Sequence, residues 1–276
     1  MTRFRGSAPF TEDWQNFDFA VDDGVGTITL DRPDRLNALT LDTYADLRDL
    51  LVEVEHRDDV HVLVITGRGK GFCSGGDVEE IIGDLLERGD NRMVTDFTRM
   101  TGAVVKQMRE VPVPIIAAIN GTAAGAGAVI ALAADLRIMA QGAAFHFLFT
   151  KVGLAGADMG CAYLLPRVVG MGRAAELLFF GDRVDAETAE RFGLANRVVQ
   201  NGAVVEMATE WARRLADGPT FAHAVTKKLL TREQDTDLAS AIELEAFAQA
   251  LLMRSNDHAE FLAANRDGRP PEWTGR

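Results

Sequence analysis

Over the first two thirds of the chain, short apolar runs rich in β-branched residues alternate with amphipathic stretches. Gly24 to Leu30 alternates β-branched residues with glycine and ends at Asp31-Arg32-Pro33, which predicts a strand closed by a turn. Thr40 is placed to cap a helix in which Leu41, Tyr44, Leu47, Leu51 and Val54 recur at three- and four-residue spacing. Val60 to Thr66 is a short apolar run, as in a parallel strand covered by helices on both faces. Asp77 to Glu87 and Met93 to Met108 read as helices, and the Met93, Phe97, Met100, Val104, Met108 stripe of the second reads as core. Ile115 to Ile119 and Leu136 to Met139 predict two more buried strands around a small-residue helix, Gly127 to Ala134, with a further strand at Phe145 to Phe149. That succession predicts a right-handed β/α core.

From Met159 onward the pattern turns helical: Gly160 to Val169, Arg173 to Phe180 stopped by Gly181, Ala186 to Phe192 stopped by Gly193, then long segments from Ala203, Phe221 and Leu238. The expected organisation is a loose N-terminus over 1–15, an α/β catalytic core over 16–200 and a helical C-terminal region over 201–276. With 276 residues, 47% of them hydrophobic, the chain can bury a sizeable core. No apolar run reaches the roughly 18 residues of a membrane span, and Met1 to Thr11 lack the apolar segment of a secretory signal. A formal net charge of −12 (29 basic against 41 acidic residues) disfavours nucleic acid and anionic membrane as partners. Cys73 and Cys161 are the only cysteines, so a disulfide framework is excluded and a reducing cytoplasm is the simplest compartment.

The candidate chemistry lies in two glycine-rich turns. Gly71-Phe72-Cys73-Ser74-Gly75-Gly76-Asp77 and Asn120-Gly121-Thr122-Ala123-Ala124-Gly125-Ala126-Gly127 each follow a predicted strand and open into a helical pattern. Glycine permits close backbone approach, and a helix start presents unpaired N–H donors. Two such turns can aim a pair of donors at one point, as an oxyanion hole requires. With Asp31-Arg32-Pro33, Leu36-Asn37-Ala38-Leu39, Asp135, Gly153-Leu154, Leu165-Pro166-Arg167 and Gly181-Asp182-Arg183, these turns resemble the crotonase superfamily, the enoyl-CoA hydratase/isomerase family, from about Val21 to the end.

The resemblance implies a crotonase-like spiral of ββα units, with a helical C-terminal region that joins subunits into a trimer or a hexamer. It implies an acyl-CoA thioester as substrate, with coenzyme A part of that substrate and no separate cofactor. It makes the backbone N–H groups of Gly76 and Ala126 the oxyanion donors, and Arg35, Leu36, Ala38, Ser74, Gly75, Asp77, Val78 and Phe149 the substrate and CoA contacts. The glutamates with which the family's hydratases handle water fall at Val129 and Phe149, neither of which can move a proton. Asp158 is the acid left nearby, after a one-residue adjustment of the alignment. Its competing reading is the N-cap of the helix that begins at Gly160. The expected activity is therefore proton transfer, isomerisation or an atypical hydration. The alternatives are a C–C bond or CoA-thioester hydrolase on the same scaffold and a CoA-binding protein without turnover.

Other constellations carry less. Gly67-Arg68-Gly69-Lys70-Gly71 follows a strand but lacks the first Gly and the Ser or Thr of a phosphate loop. Gly121, Gly125 and Gly127 echo the nucleotide turn of short-chain dehydrogenases, yet Tyr163 is followed four residues later by Arg167 where that class needs Lys. The five histidines show no metal-ligand spacing, so no metal is expected; His146 reads as a hydrogen-bonded strand residue and Cys73 as a packing residue.

Overall fold

The computed structural model describes residues 13–83, 87 and 90–275, so the loose start expected over 1–15 falls almost wholly outside the described residues. The described chain opens with a hairpin in which β1 (Phe17–Asp22) pairs antiparallel with β2 (Val25–Leu30). Its two-residue turn, Asp23-Gly24, has both residues at positive φ, +44° and +79°, the conformation that matches strand twist and favours Asp-Gly. β1 is an addition to the expected elements, and that dipeptide was its signal.

α1 (Leu41–Val54) begins as the spacing predicts. The Thr40 hydroxyl accepts from the Thr43 N–H at 3.2 Å, while the Thr43 hydroxyl accepts from the Thr40 N–H. β3 (Val62–Gly67) is buried along its whole length, as its uninterrupted apolar run requires. The helix expected over Asp77 to Glu87 is a π-helix over Val78–Gly83, and part of the remainder lies outside the described residues. α2 (Asn91–Glu110) follows, capped by Asp90, and packs against α1. Of its apolar stripe, Val104 and Met108 are buried and Phe97 and Met100 pack half-buried against the core, whereas Met93 is exposed.

β4 (Ile115–Ile119) then leads into β5 (Thr122–Ala124), a short strand inside the second glycine turn, before α3 (Ala126–Ala133). β6 (Leu136–Ala140) is followed by β7 (Ala144–His146). The strand expected over Phe145 to Phe149 stops at His146, and Leu148–Val152 is a 3-10 helix that ends on Gly153 in the left-handed region. Beyond it come α4 (Cys161–Val169), α5 (Met171–Phe180), β8 (Arg183–Asp185), α6 (Ala186–Arg191) and β9 (Arg197–Val199). The chain finishes with α7 (Val204–Ala216), α8 (Thr220–Arg232), α9 (Leu238–Leu252) and α10 (Asn256–Asp267).

Two sheets result. The larger has the order β1-β2-β3-β4-β6-β9, parallel from β2 onward, and the smaller the order β5-β7-β8. Each of β4 and β6 passes from the large sheet into a short strand of the small one before the chain turns away, and an isolated bridge between Cys73 and Ala123 brings the first glycine turn to the same edge. The core therefore winds as a spiral of strand, short strand and helix, in agreement with the α/β expectation. α7 packs across β2, β3, β4 and β6 and closes one face of the large sheet.

Asp135, one of the motif residues, is a structural hub. Its carboxylate accepts from the Ile115 N–H at 2.8 Å, from Arg109 at 2.9 Å and from the buried Lys227 at 2.8 Å. It thus ties α2, β4 and α8 together. Among the described residues no helix is long and apolar enough to cross a membrane.

Candidate active site

The first glycine turn is shaped by two asparagines from distant elements. The Asn37 amide donates to the carbonyls of Arg68, Gly71 and Phe72 at 3.0, 2.9 and 3.2 Å, from a residue at φ +57°. The Asn120 amide donates to the carbonyls of Gly69 and Gly71 at 3.0 and 3.2 Å, and its oxygen accepts from the Gly67 N–H. Both side chains replace backbone partners that a tight loop cannot supply. The turn then runs beside Leu39, whose N–H donates to the Gly75 carbonyl and whose carbonyl accepts from the Asp77 N–H.

Asp77 starts the π-helix. Its carboxylate accepts from the N–H groups of Glu79 and Glu80 at 3.0 and 3.1 Å and from Arg32 at 3.0 Å. Burial pushes its pKa up, but the Glu80 N–H, the Arg32 guanidinium and the Glu79 N–H together hold it below the usual carboxylate value. Asp77 is thus a fixed anion that anchors the turn.

The second turn presses directly on the first. A Cβ added to Gly127 would stand 2.2 Å from the Cys73 carbonyl oxygen, so only glycine allows α3 to lie against that backbone. Gly75 has φ +103°, and a Cβ there would meet the Ala124 oxygen at 3.0 Å and the Ala126 nitrogen at 3.4 Å. Ala126 is the first residue of α3, after Gly125 as N-cap. Among the described residues, neither the Gly76 nor the Ala126 N–H donates a hydrogen bond to the protein. Two unspent donors from separate elements thus sit on turns that touch at Gly75, one with a helix N-terminus behind it.

Asp158 lies in the loop before α4 and is half-buried. The structure decides against its role as a helix cap. Gly160 holds the N-cap position with no side-chain bond, and the Asp158 carboxylate accepts instead from the adjoining Met159 N–H at 2.9 Å. Burial raises its pKa above the ordinary carboxylate value, against the lowering effect of that N–H. Its charge is felt by the buried Tyr44 phenol and by the Cys161 thiol, which burial and Asp158 together push to about 12. Cys73, fully buried, is likewise pushed by burial to about 12 and stays a protonated packing residue.

Val129 is fully buried on α3, and Phe149 is buried on the 3-10 helix. His146 is half-buried, and its carbonyl accepts from the Gly125 N–H. Burial, then the positive charges of Lys151 and Arg183, depress its pKa, so its ring answers to groups other than Asp158.

The segment expected to meet CoA is partly open. Leu36 is 46% exposed at φ +49°, Val78 is 66% exposed, and Ala38 is buried. Arg35 is ion-paired with Glu79 at 3.0 Å, and its carbonyl accepts from the Ser74 hydroxyl at 3.2 Å. A cavity of about 400 Å³ opens elsewhere, between α2, α4 and α8, lined by Lys106, Arg109, Tyr163 and Arg232 and by none of the glycine-turn residues. Among the described residues no cluster of His, Cys, Asp and Glu is arranged to hold a metal.

A two-sheet ββα spiral with paired glycine turns defines a crotonase-type fold. The Enoyl-CoA hydratase/isomerase family matches residues 20–276, and the chain belongs to it. The 1,2-epoxyphenylacetyl-CoA isomerase of Escherichia coli K12 is 36% identical over 256 residues, 93% of this chain and 97% of its own length. A solved structure from Streptomyces coelicolor A3(2), provisionally described as an enoyl-CoA hydratase, is 57% identical with a TM-score of 0.98 over 100% of both chains. The enoyl-CoA hydratase structure from Bacillus anthracis is 30% identical, with a TM-score of 0.89 over 95% of this chain and 100% of its own. The protein is an acyl-CoA-processing enzyme of this family, which displaces the short-chain dehydrogenase reading of Gly121, Gly125 and Gly127.

Proposed function

We propose that the enzyme holds the thioester oxygen of an acyl-CoA between the N–H groups of Gly76 and Ala126 and isomerises the acyl group by proton transfer through Asp158. The observation that carries this reading is the pair of unspent N–H donors on turns that touch at Gly75. As Asp158 takes an acyl C–H proton, the C–H electron pair moves toward the thioester oxygen and the charge forms where the two donors point. Return of the proton to another carbon completes the isomerisation with no atom gained or lost.

Val129 and Phe149 stand where the family's hydratases carry glutamates, which argues against water addition by the two-glutamate route. The E. coli relative of 36% identity is named an isomerase. A half-buried carboxylate with a raised pKa is a better base than one exposed to water.

Arg35 is the candidate for a CoA phosphate. Its pair with Glu79 is exposed on both sides, 56% and 73%, so exchanging the carboxylate for a phosphate costs less than about 1 kcal/mol. Assembly as a trimer or a dimer of trimers belongs to the same reading. Leu238, Phe247 and Leu251 on α9 are 77%, 68% and 57% exposed, and a neighbouring subunit would cover them.

The test is incubation with enoyl-, dienoyl-, β-keto- and aromatic CoA esters, read by product mass and chromatography. A product of unchanged mass and new retention time supports isomerisation. A gain of water or release of free acid refutes it in favour of a hydratase or hydrolase, and binding without turnover refutes catalysis.

A further inference from the structure

Tyr44 projects from α1 beneath the first glycine turn. It is 2% exposed, its ring meets Phe97 edge-on with centroids 6.1 Å apart, and a Cβ on Gly76 would lie 3.5 Å from its hydroxyl. That hydroxyl makes no hydrogen bond to any described residue. Its neighbours at Gly76 include the Ile81 side chain, whose Cδ1 lies 3.6 Å from the same Cβ point. The phenol oxygen is not one of the fully enclosed unpartnered polar atoms and so keeps a small accessible surface, through which a partner can reach it, whereas phenylalanine would pack against Phe97 as well. The hydroxyl therefore needs a partner that the protein itself does not supply. Burial first, then the neighbouring Cys73 and Asp158 groups, raises the phenol well above its ordinary value, so it remains a donor at neutral pH.

We propose that the Tyr44 hydroxyl donates a hydrogen bond to an oxygen carried on the acyl group beyond the thioester, and so selects oxygenated acyl-CoA esters over their deoxy counterparts. This rests on the acyl-CoA reading of the same site. In that reading the thioester oxygen takes its donors from Gly76 and Ala126, which leaves the phenol beside Gly76 for the next oxygen along the chain. Asp158 is the competing acceptor, but no hydrogen bond joins it to Tyr44, so the donor is unspent. Beside the apolar side chains of Phe97 and Ile81, one fixed donor is enough to discriminate.

The experiment is calorimetric binding of butanoyl-CoA and of both enantiomers of 3-hydroxybutanoyl-CoA to the full-length wild type and to Tyr44→Phe. One hydroxy ester should gain on butanoyl-CoA by roughly two- to tenfold in the wild type relative to the variant, the effect of one hydrogen bond. Butanoyl-CoA should bind the variant as well as the wild type or better, and the variant's Tm should be unchanged or higher. A preference ratio that is the same in both proteins overturns the proposal, as does a lower Tm, which would reveal an internal partner for the hydroxyl. Failure of all three esters to bind the wild type removes the reading of this site as the pocket for such acyl groups, and the proposal with it, a result distinct from binding without discrimination.

Discussion

Asp158→Asn separates a proton-transfer group from a structural one because the structure predicts opposite signs for activity and stability. Asparagine has the same shape, and its amide oxygen can still accept from the Met159 N–H that Asp158 holds at 2.9 Å. No helix cap is lost, since Gly160 occupies that position. What changes is the charge. Burial raises the folded-state pKa of Asp158 above its ordinary value, so the folded protein binds this proton more tightly than the unfolded chain does. Ionising the group therefore opposes folding at every pH above the folded pKa and has no effect below the unfolded one, about 3.9. The variant should be more stable than wild type at neutral pH, and the difference should fade as the pH falls through the folded pKa toward that value. Catalysis should move the other way. A positioned general base contributes about 10²–10⁴ in rate, which is about 3–5 kcal/mol of transition-state stabilisation. Incorporation of solvent deuterium into a bound acyl-CoA, followed by mass spectrometry, reads this directly, with Tm measured by calorimetry at neutral and acidic pH. Wild-type exchange should rise with pH through the raised pKa and then level off. Exchange surviving in Asp158→Asn, or a variant less stable at neutral pH, would refute the assignment.

The remaining expectations concern the turns and the surface. At Gly76 a Cβ meets Tyr44 and Ile81 only at ordinary distances of 3.5 and 3.6 Å, so Gly76→Ala should fold and stay active, whereas Gly76→Pro removes the N–H and should lose about 10²–10³ in turnover; equal activity of the two folded variants would show that this N–H is not a donor. Gly75→Ala places a side chain at φ +103° and 3.0 Å from the Ala124 oxygen, so it should lower Tm by about 2–10 °C and activity with it, and an unchanged Tm would contradict the tight contact between the turns. Sedimentation at micromolar concentration should show a trimer or a hexamer, and Phe247→Glu on α9 should dissociate it; a wild-type monomer would mean that the exposed apolar face has another purpose.

Most of the fold could be read from the chain because its signals are local. The Thr40 cap, the unbroken apolar run of β3 and the Gly181 stop of α5 each depend on a few neighbouring residues, and each appears where the pattern puts it. The misplaced elements are those decided by distant contacts. β5 exists because Thr122–Ala124 pairs with β7, and the strand expected to Phe149 ends at His146 because β8 pairs only as far as that residue. The Val78–Gly83 segment is helical as expected, but nothing in its spacing distinguishes a π-helix from an α-helix.

The candidate site was legible where it is made of backbone and obscure where it depends on side chains. Glycine marks the sites of close approach, so Gly75 and Gly127 could be named in advance, and Gly76 with them as the residue before Asp77 in the same turn. Tyr44 could not, because it falls in register with Leu47 and Leu51 on the apolar face of α1. A 3.6-residue period separates inside from outside, but it does not separate a side chain packed into solid core from one at the floor of a ligand site. Only the contact with Gly76, 32 residues away in sequence, makes that distinction. Asp158 presents the same difficulty: an aspartate just ahead of a helix is a capping signal in sequence, and only Gly160 at the N-cap, the bond to Met159 and the field shared with Tyr44 separate it from a cap. Where binding and helix-start chemistry use the same residue types, sequence alone leaves both readings open, and the partner each oxygen finds in the folded chain decides between them.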